Sequence, residues 1–134
     1  MDKSIQKVEK ELFSRPLVDV VAELSYVRRL ERVWQLVESD YADPDLNLEK
    51  AAEVAGANKN YLNVLFRRET SFTFHQFLVR YRVLKAISIM KTKNYSLLEV
   101  ALQSGFGSLN TLERNFRTLL GTTPRDFKSK IYGE

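Results

Sequence analysis

The side chains best placed to do chemistry in this 134-residue chain are hydrogen-bonding groups at helical spacing. In the stretch 59–69, Leu62, Leu65 and Phe66 form one apolar stripe. The opposite face then presents Asn60, Asn63, Val64 and Arg67, with Lys59 near the start. In the stretch 109–120, Leu112, Phe116 and Leu119 form the stripe. Leu109, Asn110, Glu113 and Arg114 point outward, and Arg117 lies toward the flank. These side-chain types suit the edges of base pairs. Asn pairs bidentately with adenine, Arg with guanine, and Val touches a thymine methyl. Glu113 can accept from a cytosine amine or orient Arg114. Lys59, Ser108 and Thr111 sit at helix starts, where the positive end of the backbone dipole suits a phosphate.

Other chemistries lack their parts. The chain has no Cys, which removes thiol nucleophiles, thiolate zinc sites and disulfides. His75 is the single histidine and reads as a surface or packing residue. There is no nucleophile–base pair, glycine-rich phosphate loop or metal-ligand cluster, so neither an enzyme nor a cofactor is expected. No apolar run approaches the roughly 18 residues of a membrane span. The start, MDKSIQKVEKELF, lacks the apolar core of a signal peptide. A soluble cytoplasmic protein is expected.

The elements that must position these residues read as all-α. The few glycines and prolines punctuate helix-periodic segments, and no segment alternates with period two. Residues 4–14 suit a short helix carrying Ile5, Val8 and Leu12 on one face. An apolar series from Leu17 to Tyr41 reads as one helix or two. A short helix follows over Leu46–Ala55. Asn58, Thr73, Ser96 and Ser108 read as N-caps, with Glu99 in the capping-box position after Ser96. Thr123-Pro124 opens a last helix to about Lys130. Trp34, Phe66, Phe106, Phe116 and Phe127 read as core rather than stacking platforms.

An internal repeat organises the chain. Ala52-x3-Gly56 followed by Leu62-x3-Phe66-Arg67 returns as Ala101-x3-Gly105 followed by Leu112-x3-Phe116-Arg117. The alanines are 49 residues apart and the phenylalanines 50 apart, so the second turn holds one extra residue. A small Ala lets a second helix cross closely, and Gly suits the left-handed turn. Each copy therefore reads as a helix-turn-helix.

The stretch GFGSLNTLERNFRTLLGTTPRDF (105–127) resembles the signature of the AraC/XylS family of bacterial transcription regulators. Gly105, Phe106, Ser108, Arg114, Phe116, Gly121, Thr123 and Pro124 carry the match. YLNVLFRRET (61–70) resembles the family's first recognition helix, and FLVRYRVLKAISIM (77–90) its linker helix, with Arg82 and Ala86 in place. Leu112 departs from the usual Phe, Arg117 from the usual Lys, and Ser71 from the usual Gly. If position 71 keeps a positive φ, Ser71 carries strain.

The resemblance spans residues 27–132. It implies a first helix-turn-helix over about 46–70, a linker helix over 73–93, a second helix-turn-helix over 96–121 and a last helix over 123–130. Residues 1–26 have no counterpart and read as a helical arm. The family often carries a ligand-sensing domain upstream, for which this chain has no room. Positions 60, 63, 110, 113 and 114 are implied to face bases and Arg82 to pack internally; Arg67 and Arg117, on the helix flanks, read as phosphate contacts. The expected partner is double-stranded DNA. A linker of 21 residues spans roughly 31 Å, close to the roughly 34 Å of one duplex turn.

The charge distribution agrees with a polyanion partner. Residues 1–45 hold seven Lys/Arg against ten Asp/Glu, and residues 46–134 hold fourteen against seven. The resemblance adds RNA polymerase as a further candidate partner, since family activators recruit it. The competing reading is a module that docks on polymerase or another regulator and binds DNA only weakly. The Leu17–Val27 stripe can pack on the domain or on a second copy, a homodimer through residues 1–27; packing within the chain is favoured.

Overall fold

Capping side chains set where most helices begin. The computed structural model describes residues 3–133, which form nine helices and no strand. They are α1 (Lys3–Phe13), α2 (Leu17–Ser25), α3 (Arg28–Asp40), α4 (Leu48–Ala55), α5 (Lys59–Thr70), α6 (Phe74–Thr92), α7 (Leu97–Gln103), α8 (Leu109–Leu120) and α9 (Pro124–Tyr132). Asn47, Asn58, Thr73, Ser96, Ser108 and Thr123 each accept the N–H three residues on, opening α4 to α9. The first of these corrects a boundary. Leu46 is buried but lies outside the helix, at the position from which an apolar residue staples a first turn. Thr73 and Gln76 close a full capping box. At Ser96 the hydroxyl donates back to the Glu99 carboxylate at 3.0 Å.

The Leu17–Tyr41 series is two helices, broken where Val27 is extended (φ −109°, ψ 111°). Its inward residues Val20, Leu24, Leu30, Val33 and Val37 are fully buried. The stripe therefore packs within the chain, leaving Val18 and Tyr26 as its exposed large apolar side chains.

Helix α6 runs through the middle. Phe74, Phe77, Leu78, Tyr81, Val83, Leu84, Ala86, Ile87 and Met90 are all buried, so apolar positions run round the whole helix. That is the pattern of a helix enclosed by its neighbours. Its first half meets a ring cluster from α3 and α5. Phe66 lies 5.3 Å from Phe77, and Trp34 lies 5.4 Å from Tyr81, edge-on. Burial, with Glu38 and Tyr41 nearby, pushes the Tyr81 phenol up to about 12, so it stays neutral. At the other end Phe116 of α8 packs edge-on against Phe127 of α9 at 5.6 Å, and the Tyr132 hydroxyl donates to the Met90 carbonyl.

The loop between α3 and α4, which leads into the first helix-turn-helix, also touches the second unit beside α6. Buried Arg82 donates Nε to the Tyr41 carbonyl at 2.9 Å and Nη2 to the Asp43 carbonyl at 2.7 Å. Burial lowers its pKa, and nearby Asp43 opposes that shift. Gly105, from the second unit, lies against the same carbonyl. A Cβ there would come within 2.0 Å of the Tyr41 oxygen. Gly105 is thus required by a close approach as well as by its φ of +90°.

Candidate nucleic-acid interface

Each recognition helix is placed by burying one stripe. Leu62 and Phe66 hold α5 down, with Leu65 at 4% exposure; Leu112 and Phe116 do the same for α8. What remains outward on α5 is Lys59, Asn60, Val64, Arg67 and Arg68, all exposed, with Asn63 half-buried. On α8 it is Asn110, Glu113, Arg114 and Arg117, all exposed. Each outward face lines a shallow concavity. One gathers Asn60, Asn63, Val64, Arg67, Arg68 and Thr73. The other gathers Asn110, Glu113, Arg114, Arg117, Thr118, Thr123 and Arg125. Adding fifty to the first six numbers gives residues of the second set in every case. The repeat therefore builds the same surface twice, with different side chains on it.

The structure narrows two of the sequence expectations. Asn63 Oδ1 accepts the Phe74 N–H at 3.0 Å, so its carbonyl is taken by the first residue of α6. Bidentate pairing with adenine would have to share that carbonyl through its second lone pair, whereas the amide Nδ2 of Asn63 has no such competing bond. Asn60 keeps both groups exposed. At the matching place in the second copy, Pro124 has no N–H to satisfy, and Glu113 stays exposed. The Phe74/Pro124 difference was a readable signal that sequence reasoning missed. The second narrowing concerns the start of α8. The Ser108 hydroxyl accepts the Thr111 N–H at 3.2 Å and shares a hydrogen bond with the Thr111 hydroxyl at 2.9 Å. An anion arriving there meets the helix N-terminus and the one hydroxyl hydrogen that this pair leaves undonated.

Electrostatically the two faces are open. Among the described residues, Arg67, Arg114 and Arg117 form no ion pair, and neither does Lys59; the pairs present are Arg15–Glu23, Lys50–Asp43 and Arg68–Glu69. Unneutralised arginines beside two asparagines suit phosphates and base edges. Among the described residues no cluster of His, Asp or Glu could hold a metal ion.

At position 71 the backbone makes the same turn as at Gly121, without a glycine. Ser71 has φ 71° and ψ 4°, and Gly121 in the second copy has φ 70° and ψ 11°. Ser71 therefore carries the left-handed strain that Gly121 avoids.

Two helix-turn-helix units mounted on one enclosed helix, each offering a recognition helix, define a DNA-binding transcription regulator. Comparison with known proteins agrees. A family model described as a helix-turn-helix domain matches residues 51–130, and the chain belongs to that family, of AraC/XylS type. Regulatory protein SoxS of Escherichia coli (strain K12) is 28% identical over 92 residues, covering 69% of this chain and 86% of SoxS. Multiple antibiotic resistance protein MarA of Salmonella typhimurium is 28% identical over 106 residues, covering 78% of this chain and 83% of MarA. The DNA-binding domain of AdpA, a global transcriptional factor solved in complex with a target DNA, superposes with a TM-score of 0.72 at 28% identity. That match covers 78% of this chain and 93% of the AdpA domain.

Proposed function

We propose that this regulator lays α5 and α8 into successive major grooves on one face of a duplex, and that it activates transcription. The duplicated outward face carries the reading: the same six positions, fifty residues apart, recur near opposite ends of α6. At about 1.5 Å per residue the 19 residues of α6 span roughly 28 Å, near one duplex turn. Asn60, Asn110 and Arg114 are the principal base readers; Glu113 accepts from a cytosine amine, and Asn63 donates through Nδ2. Lys59, Arg67 and Arg117 hold phosphates from the flanks, with Ser108 and Thr111 at the helix start. In this assignment residues 27–132 form the reading domain, and RNA polymerase is the partner that activation requires. A homodimer through residues 1–27 would use exposed Val18 and Tyr26 with half-buried Leu17 and Val21, which line one open groove with Val18.

Selection of bound sites from random duplex DNA tests the assignment. The expected result is one asymmetric site with two informative boxes about ten base pairs apart. Arg114→Ala should relax the preference at one position of one box. Enrichment of a single box, or an Arg114→Ala variant with unchanged preference, would overturn it.

A further inference from the structure

Helix α1 lies outside residues 51–130 that the family model matches, yet it packs on α6 and α8, reaching the second reading unit directly and the first where that unit joins α6. Its C-terminal end is fixed where the first unit joins α6. Phe13 is buried with its ring 5.6 Å from Phe77 and 6.2 Å from Phe72. Arg80 of α6 donates Nε to the Leu12 carbonyl at 2.9 Å and stacks over the Phe72 ring at 4.4 Å. Just beyond, Arg15 reaches the Glu69 carbonyl at the end of α5. The N-terminal half reaches the second unit. Val8, 5% exposed, shares a cleft with Leu120 of α8 and Phe127 and Ile131 of α9. Ser4 is bonded to Lys91 at the far end of α6. So α1 runs antiparallel along α6 from one unit to the other.

The geometry around α6 says what this helix adds. Arg80 and Arg82 are two positions apart, which sets them about 200° apart around a helix of 3.6 residues per turn. Arg82 holds the Tyr41–Asp43 loop on one side, where Gly105 of the second unit abuts; Arg80 holds α1 on the other. The two units are therefore gripped from both sides of the helix that separates them.

We infer that α1 is a brace that fixes the relative placement of the two recognition helices and so sets the half-site spacing the protein accepts. The inference rests on the two-headed reading above. Two linked binders gain a high effective concentration at the second site only where the link holds the right geometry; a loose link spreads that gain over many spacings. A braced protein is thus strict about spacing, and an unbraced one tolerant. Val8, Leu12, Phe13 and Arg80 are positioning residues that never touch DNA in this scheme.

The test is a spacing series on the selected site, with zero to four base pairs inserted between the boxes, for the wild type and Val8→Asp. A buried carboxylate at position 8 undocks α1 from the second unit. Two inserted base pairs turn one box about 70° around the duplex. The wild type should lose about 100-fold in affinity there, and Val8→Asp less than about tenfold, after a loss of about tenfold at the native spacing. Circular dichroism and melting separate this from unfolding, since a purely structural role shifts the melt without changing the shape of the spacing profile. Should Val8→Asp fail to fold, Arg80→Met, which cuts the bond to Leu12 and keeps the stem, must show the same flattening. A folded variant with the wild-type profile overturns the brace alone. A wild type that binds one box as tightly as two overturns the two-headed reading, and the brace with it.

Discussion

Replacing Gly105 by Ala should be the most damaging single-methyl change in the fold. The new Cβ would stand 2.0 Å from the Tyr41 oxygen, 2.7 Å from Arg82 Nε and 3.0 Å from the Tyr41 carbonyl carbon. Two costs add. A side chain at positive φ costs about 1–2 kcal/mol. The carbonyl must also retreat by about an ångström, which breaks its bond from the Arg82 guanidinium. A hydrogen bond to a charged group contributes about 1.5–3 kcal/mol. The sum is roughly 2.5–5 kcal/mol, a large part of the roughly 5–15 kcal/mol that keeps a domain folded. Gly121→Ala is the internal control. Its φ is +70° and nothing lies within 4 Å of its added Cβ, so only the backbone term of about 1–2 kcal/mol applies. Urea melts of both variants give the comparison. If Gly105→Ala costs within about 1 kcal/mol of Gly121→Ala, the close junction between the units is wrong.

Further variants separate stability from reading. Ser71→Gly should stabilise the chain by about 0.5–1 kcal/mol in the same melts, because glycine removes the left-handed strain at a smaller entropy cost. Asn63→Ala should destabilise the free protein by about 0.5–1.5 kcal/mol, since the Phe74 N–H loses its acceptor, whereas Asn60→Ala should leave the melt unchanged and weaken DNA binding. Arg114→Ala should cost about 1–3 kcal/mol of binding in a titration and blur one base position. Arg67→Ala should weaken all sequences alike and reduce the salt slope by about one, read from affinities at several salt concentrations.

Much of this was legible in the sequence because its signals are local. Asn58, Thr73, Ser96, Ser108 and Thr123 cap the helices they were expected to open, since a cap depends on a side chain and an N–H three residues away. The stripes of α5 and α8 were equally readable, because helical period fixes which residues share a face. What depends on distant contacts was not. Period marked Val8 and Leu12 as one apolar face, but nothing in it names α6 and α8 as the surface they cover. The bond from Phe74 to Asn63 spans eleven residues and shows in the sequence only as a missing proline. Gly105 read as a helix stop; that Tyr41 presses on it comes from packing alone.

Hydroxyl-radical footprinting of the wild-type protein on its selected site tests the central claim most directly. Two recognition helices in successive grooves should protect two patches about ten base pairs apart, both on one face of the duplex. A single patch, or protection wrapping to the opposite face, would contradict it.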